Sequence, residues 1–358
     1  WDKNQDGDFK RYLVYQSNSK EFDTKELIFK INDPIKKQVE IPLDTIKYYQ
    51  IEIEDIWGLK TKSNIVFGDY VHEIWGNFYS VLNTTKMNLP SQDLKNSIPK
   101  SICYLNNLTH LALNANYLDG EIPSEIGNLK NLLFLDLSNN ENLKGKIPPE
   151  IGTLKKLRQL YINNTNISGK IPTSIFYLPN LTHLGLSNNK LIGNIPYAVN
   201  QLESLQYLNL WKNNFNGAIP KEIGSLINLI HLNLSENNFS GHIPEEFKYL
   251  QNLETLGLFN NSLSGDLPDS IQDLNKLTYI SLYNNQLTGN ISSWLSHLNQ
   301  LEYLRIDGNK FEGEIPPNIC NTNIQFDNNE YFNITNNKLC PPYPNCIKNN
   351  IGIQEKCE

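Results

Sequence analysis

Residues 226–250 read LINLIHLNLSENNFSGHIPEEFKYL, and the same sentence is spelled before and after them. Its letters are Leu-x-x-Leu-x-x-Leu-x-Leu-x-x-Asn-x-Phe-x-Gly-x-Ile-Pro. Counted from Leu226, Leu250, Leu274 and Leu298, the copies start 24 residues apart, a period that specifies a solenoid and not a globular core. One such unit cannot bury its own apolar face. A stack can, because each unit's leucines are covered by those of the next.

Working outward, the array runs through Leu105, Leu129, Leu154, Leu178 and Leu202 to Leu298, with one 25-residue step where LSNNENLKGKIP carries an extra residue before Leu143. That insertion is expected to bulge a loop and leave the stacked strands alone. Met87 and Leu89 align with the Leu-x-Leu pair, and a last strand is expected at Phe332-x-Ile334. Alternation at Leu-x-Leu is the period of a strand, so successive units should line up as a parallel sheet of about 11 strands. The Asn at 116, 140, 189, 213, 237, 261, 285 and 309 follows each strand, where a buried amide can satisfy turn backbone; Thr165 replaces it once. Gly-x-Ile-Pro supplies a bend and an extended residue on the return path.

The segments LDGEIPSEIG and LKGKIPPEIG resemble the plant-type leucine-rich repeat of receptor-kinase ectodomains and polygalacturonase-inhibiting proteins, over residues 84 to 339. The resemblance implies an α/β repeat solenoid, a horseshoe or superhelix with a concave parallel sheet, short 3₁₀ segments on the other side, and recognition on the inner face. It departs from that pattern in lacking a cysteine pair before the first repeat.

The expected organisation is a small β-rich region at 1–70, an N-terminal cap at 71–86, repeats at 87–319 and a disulfide-stapled cap at 320–358. In the first region RYLVYQ, ELIFKI, KQVEIPL, YYQIEIEDIW and NIVFG have strand character. In the N-terminal cap Trp75, Phe78 and Tyr79 are expected to cover the first strand edge. Asp2, Asn4, Asp6 and Asp8 match half of a calcium loop, but the twelfth position is Leu13, where a bidentate carboxylate is required. Four of the five cysteines, Cys320, Cys340, Cys346 and Cys357, lie in the last 39 residues. Of three connectivities, Cys320 with Cys340 and Cys346 with Cys357 is the expected one. Cys103 lies nine repeats from Cys320, too far for a bridge, and is expected to be a buried thiol.

A net charge of −7 speaks against a nucleic-acid partner. No apolar run of 18 residues is present, so no segment should span a membrane. WDKNQDGDFK lacks a signal-peptide pattern and reads as a mature end or an experimental boundary. Sequons at Asn83, Asn107, Asn163, Asn166, Asn180, Asn233, Asn238, Asn260, Asn290 and Asn333, with the terminal cysteines, point to a secreted or cell-surface glycoprotein.

The chain carries no nucleophile elbow, His-Glu-x-x-His or phosphate loop, its histidines lack metal-ligand spacing, and no cofactor is expected. The outward strand positions are informative because the solenoid does not need them. Just before each Leu-x-Leu stand Lys86, His110, Phe134, Gln159, His183, Tyr207, His231, Thr255, Tyr279 and Tyr303. A second column holds Ser187, Trp211, Ser235, Phe259, Tyr283 and Asp307. Tyr207, Trp211, His231, Phe259, Tyr279, Tyr283, Tyr303 and Arg305 should therefore share one concave surface suited to a protein, peptide or polysaccharide. A structural role in a matrix, wall or filament, with homotypic assembly, is the alternative reading. Inhibition of a wall-degrading glycosidase rests on family analogy alone.

Overall fold

A computed structural model describes residues 9–17, 23–32, 47–55, 57–58, 60–62, 66–68 and 71–355. The chain divides into two compact units, Trp1–Thr84 and Thr85–Glu358.

The first unit holds an antiparallel sheet in which Phe9–Ser17 lies between Glu26–Ile31 and Lys47–Asp55, and Lys47–Asp55 also pairs with Lys60–Lys62 and Val66–Gly68. Strand alternation puts Tyr12, Val14, Ile31, Ile51 and Ile53 on one apolar face. It puts Glu52 and Glu54 on the other, nearly buried, where Lys25 holds Glu52, and Lys10 and Arg11 hold Glu54 at 2.8 and 2.9 Å. Hydrogen bonds from Lys10 and Arg11 push the Glu54 carboxyl down to about 2. KQVEIPL and the half calcium loop at Asp2, Asn4, Asp6 and Asp8 lie outside the described residues. A hairpin, Val71–Ile74 with Asn77–Ser80, also falls in this unit. Phe78, on this hairpin, is 71% exposed.

In the second unit, eleven short strands from Lys86–Asn88 to Phe332–Asn333 form one parallel sheet in register by repeat. His231, Leu232 and Asn233 pair with Tyr207, Leu208 and Asn209 on one side, and with Thr255, Leu256 and Gly257 on the other. Inward letters are sealed: Leu226, Leu229, Leu232, Leu234 and Phe239 are each 0% exposed. A second parallel sheet of nine strands runs along the flank from Lys95–Ser97 to Gln286–Thr288. Each Ile-Pro is followed by a five-residue 3₁₀ turn, such as Lys221–Ser225 after Pro220, because proline holds the extended φ and has no amide to leave unpaired. Where Ser292 replaces that proline, Asn290 caps an α-helical turn at Ile291–Leu295 by accepting from the Ser292 amide.

Between repeats the asparagines do the joining. Asn237 Nδ2 donates to the carbonyls of Leu210, Leu234 and Ser235 at 3.0 to 3.1 Å, and its Oδ1 accepts from the Phe215 amide at 3.0 Å. Asn213, Asn285 and Asn309 repeat the pattern. Thr165 does the task in part: its hydroxyl donates to Asn189 and accepts from the Ile167 amide at 3.3 Å. The extra residue is absorbed by the flank strand Asn140–Lys146, whose register shifts between Asn140 and Lys144, while Leu135 still pairs with Leu160.

The expected cysteine pairing is corrected. Cys320 bonds Cys346, with Cα atoms 5.6 Å apart, because the turn Asn345–Ile347 stacks on the turn Pro317–Asn321 as the next repeat's turn would. Cys340 sits instead on the flank strand Lys338–Cys340, and is disulfide-bonded in its turn; Cys357 lies outside the described residues. Cys103 is free and buried, and burial pushes its thiol up to about 12, so it is chemically quiet.

Replacing Asn237 with Ala would orphan the Phe215 amide and strip three carbonyls of a donor. The expected cost is about 2–4 kcal/mol, read as a lowered urea midpoint, with the exposed Asn238→Ala within about 0.5 kcal/mol of the parent.

Candidate functional site

Parallel pairing in register places equivalent outward residues about 4.8 Å apart, the spacing at which flat rings on neighbouring strands meet face to face. Tyr207 and His231 stack with centroids 4.4 Å apart and planes 10° apart. Phe259 and Tyr283 do the same at 4.4 Å and 10°, and Tyr279 with Tyr303 at 3.9 Å and 16°. The guanidinium of Arg305 continues one stack, 4.2 Å over the Tyr283 ring, and is held by Asp307 through two bonds of 3.0 and 3.1 Å. Trp211 donates its indole NH to Glu236 at 3.1 Å, on the next repeat. All eight residues expected on the concave surface stand on five neighbouring strands or in the turns that follow them.

The sequence reading stopped short at both ends of this surface. The ring row continues toward the N-terminus through His183, Tyr161, Phe134 and His110, with centroids 5.7 to 6.3 Å apart. Tyr161 belongs to the neighbouring column and joins by leaning over Gly185, where a Cβ would come within 2.7 Å of its ring. Glycine at that outward position was the available signal. At the other end Tyr331 packs edge-on against Tyr303.

Burial rather than charge sets the electrostatics. It lowers His183 and pushes His231 down to about 4, so both rings are neutral at pH 7. It also raises the Tyr279 and Tyr161 hydroxyls. His231 Nε2, Ser235 Oγ and Ser281 Oγ are buried without a hydrogen-bond partner, although the Tyr279 hydroxyl lies close to Ser281. Among the described residues no group of three His, Cys, Asp or Glu side chains is placed to hold a metal, and no helix is long and apolar enough to cross a membrane.

A leucine-rich repeat region model matches residues 140–238, and leucine-rich repeat models match 251–311, 107–129 and 228–250, together more than half of the chain. The chain belongs to the plant-type leucine-rich repeat family. No curated protein matches it. Among solved structures, this leucine-rich repeat chain is similar to the plant peptide hormone receptor RGFR1 in complex with RGF2, at 33% identity and TM-score 0.64, over 76% of this chain and 47% of that one. It is similar to the Arabidopsis thaliana receptor kinase GASSHO1/SCHENGEN3 ectodomain in complex with CASPARIAN STRIP INTEGRITY FACTOR 2, at 34% and 0.67, over 80% and 34%. It is also similar to a plant ice-binding protein, at 29% and 0.61, over 76% and 86%. The chain thus spans less than half the length of either receptor structure.

Because the folded chain holds His231 neutral, the stability this provides is complete above about pH 6.5 and is lost as pH falls toward 4. His231→Phe keeps a ring in the stack and removes the titration. It should shrink the loss of stability between pH 7.5 and 4.5 by on the order of 2 kcal/mol, measured by urea denaturation at both pH values.

Proposed function

We propose that this chain is a non-enzymatic recognition protein of the cell exterior, which binds an extended peptide segment on the concave face between Tyr207 and Arg305. The observation that carries the reading is the pairing of rings across those five strands. In each pair one face of each ring is spent on its partner, so the groove is offered ring edges, whose partial positive charge suits carbonyl and carboxylate oxygens, together with the outer faces of the pairs. Five strands span about 19 Å, room for about six extended residues. The similar RGFR1 structure is that of a plant peptide hormone receptor in complex with RGF2, which supports the class of ligand. The ice-binding relative is a reminder that the fold hosts unrelated ligands, so the surface residues must carry the argument.

Two outcomes check this. Peptides selected from a random displayed library against the purified chain should bind Trp211→Ala and Tyr283→Ala at least about tenfold more weakly, a typical hot-spot loss; undiminished binding to both folded variants rejects the site. Glycosylation is the second. Asn233 accepts from the Ser235 amide at 3.0 Å and crowds Gly257, and Asn163 is tied to Ser138 and Ser187, whereas Asn238 stands exposed on the flank. Glycopeptide mapping of protein secreted from a eukaryotic host should find Asn238 occupied, and Asn163 and Asn233 bare. A glycan on Asn233 would block the groove and count against it.

A further inference from the structure

The ring row on the concave face breaks at one strand. Tyr207 stacks on His231, Tyr279 stacks on Tyr303, and between the two pairs stands Thr255, which pairs directly with both His231 and Tyr279. Two strand spacings separate the flanking rings, about 9.6 Å, which is the room one flat group needs to stack on both. Beside Thr255 the strand presents Gly257, whose outward side is taken by the Asn233 amide, 2.9 Å from where a Cβ would stand. Two of the polar atoms bordering this break are left without partners, His231 Nε2 and, within 3.1 Å of where a Gly257 Cβ would stand, Ser235 Oγ, while Ser281 Oγ has the Tyr279 hydroxyl near it. Buried polar atoms are rarely left unpaired unless something absent satisfies them.

We propose that the break at Thr255 is a slot for the guanidinium of an arginine side chain in a bound peptide, slid between His231 and Tyr279. This rests on the concave-face reading above and names one side chain of its ligand. A guanidinium is flat, so it can stack on both rings, and its five N–H groups meet the acceptors that an aromatic side chain would leave unserved. The molecule makes the same contact internally, with Arg305 stacked on Tyr283. Charge agrees. Glu254, adjoining Thr255, and Glu302, adjoining Tyr303, are both exposed, Glu236 stands one strand away, and the chain carries a net −7. Lysine has no flat face and is a poor substitute.

The test uses the whole chain and a random displayed peptide library. Selected peptides should share an arginine at one position, and its replacement by lysine should weaken binding at least tenfold. Thr255→Tyr closes the ring row and should weaken the same peptides at least tenfold while leaving the circular dichroism spectrum and melting temperature unchanged. Glu254→Gln, a surface change that cannot disturb folding, should weaken them about threefold. If no peptide is enriched, or binders ignore Trp211→Ala and Tyr283→Ala, the concave-face reading fails and the slot falls with it. If binders depend on Trp211 and Tyr283 but share no arginine, share an aromatic residue instead, or bind Thr255→Tyr as well as the parent, the slot is wrong and the concave-face reading stands.

Discussion

Each repeat ends its strand in a sharp turn whose carbonyls point into an apolar interior, and the buried asparagine of that turn and of the next repeat serves them. Asn213 and Asn237 both donate to the Leu210 carbonyl, and Asn237 accepts from the Phe215 amide one repeat back. A solenoid held only by leucines would bury those groups unpaired, at a cost of about 1–3 kcal/mol each. The side chain that closes one unit also registers it against the previous one. Stacking distance, register and the straightness of the strand columns all depend on this bond set.

That regularity creates the concave surface. Strands held at a constant spacing place like positions of successive repeats in straight columns, and rings in such columns stack face to face without being selected as pairs. Tyr207 with His231 and Phe259 with Tyr283 have the same 4.4 Å and 10° geometry although their side chains differ. Where a column carries a small residue, the surface changes character. Gly185 receives the neighbouring Tyr161 ring and Gly257 the Asn233 amide, whereas Thr255 leaves a break in the ring row. Recognition on such a face is written in interruptions as much as in rings.

The repeat region was legible because its periodicity is a statement about packing itself. Leucine spacing, Asn237 and Ile243-Pro244 each have one physical task and are found doing it, while the extra residue before Leu143 bulges a paired flank strand where a loop was expected and leaves the main sheet in register. The cysteine pairing was not legible. Three connectivities satisfy the same spacing, and only the stacking of the turn Asn345–Ile347 on Pro317–Asn321 brings Cys346, not Cys340, to Cys320. Tyr161 was missed because its column was not the aromatic one, and a lean across a strand depends on a neighbour's lack of a side chain.

The sequence by itself determined the period, the inward letters, the parallel sheet and which side chains face out, since a 24-residue repeat of leucine and asparagine has one way to bury its apolar face and satisfy its turns. Only the tertiary structure decided how the outward side chains use one another: which rings stack in pairs, that burial holds His231 neutral, and that Tyr161 joins the row by leaning over Gly185. Those outcomes depend on distances between residues 24 apart in the chain, and such distances exist only once the repeats are stacked.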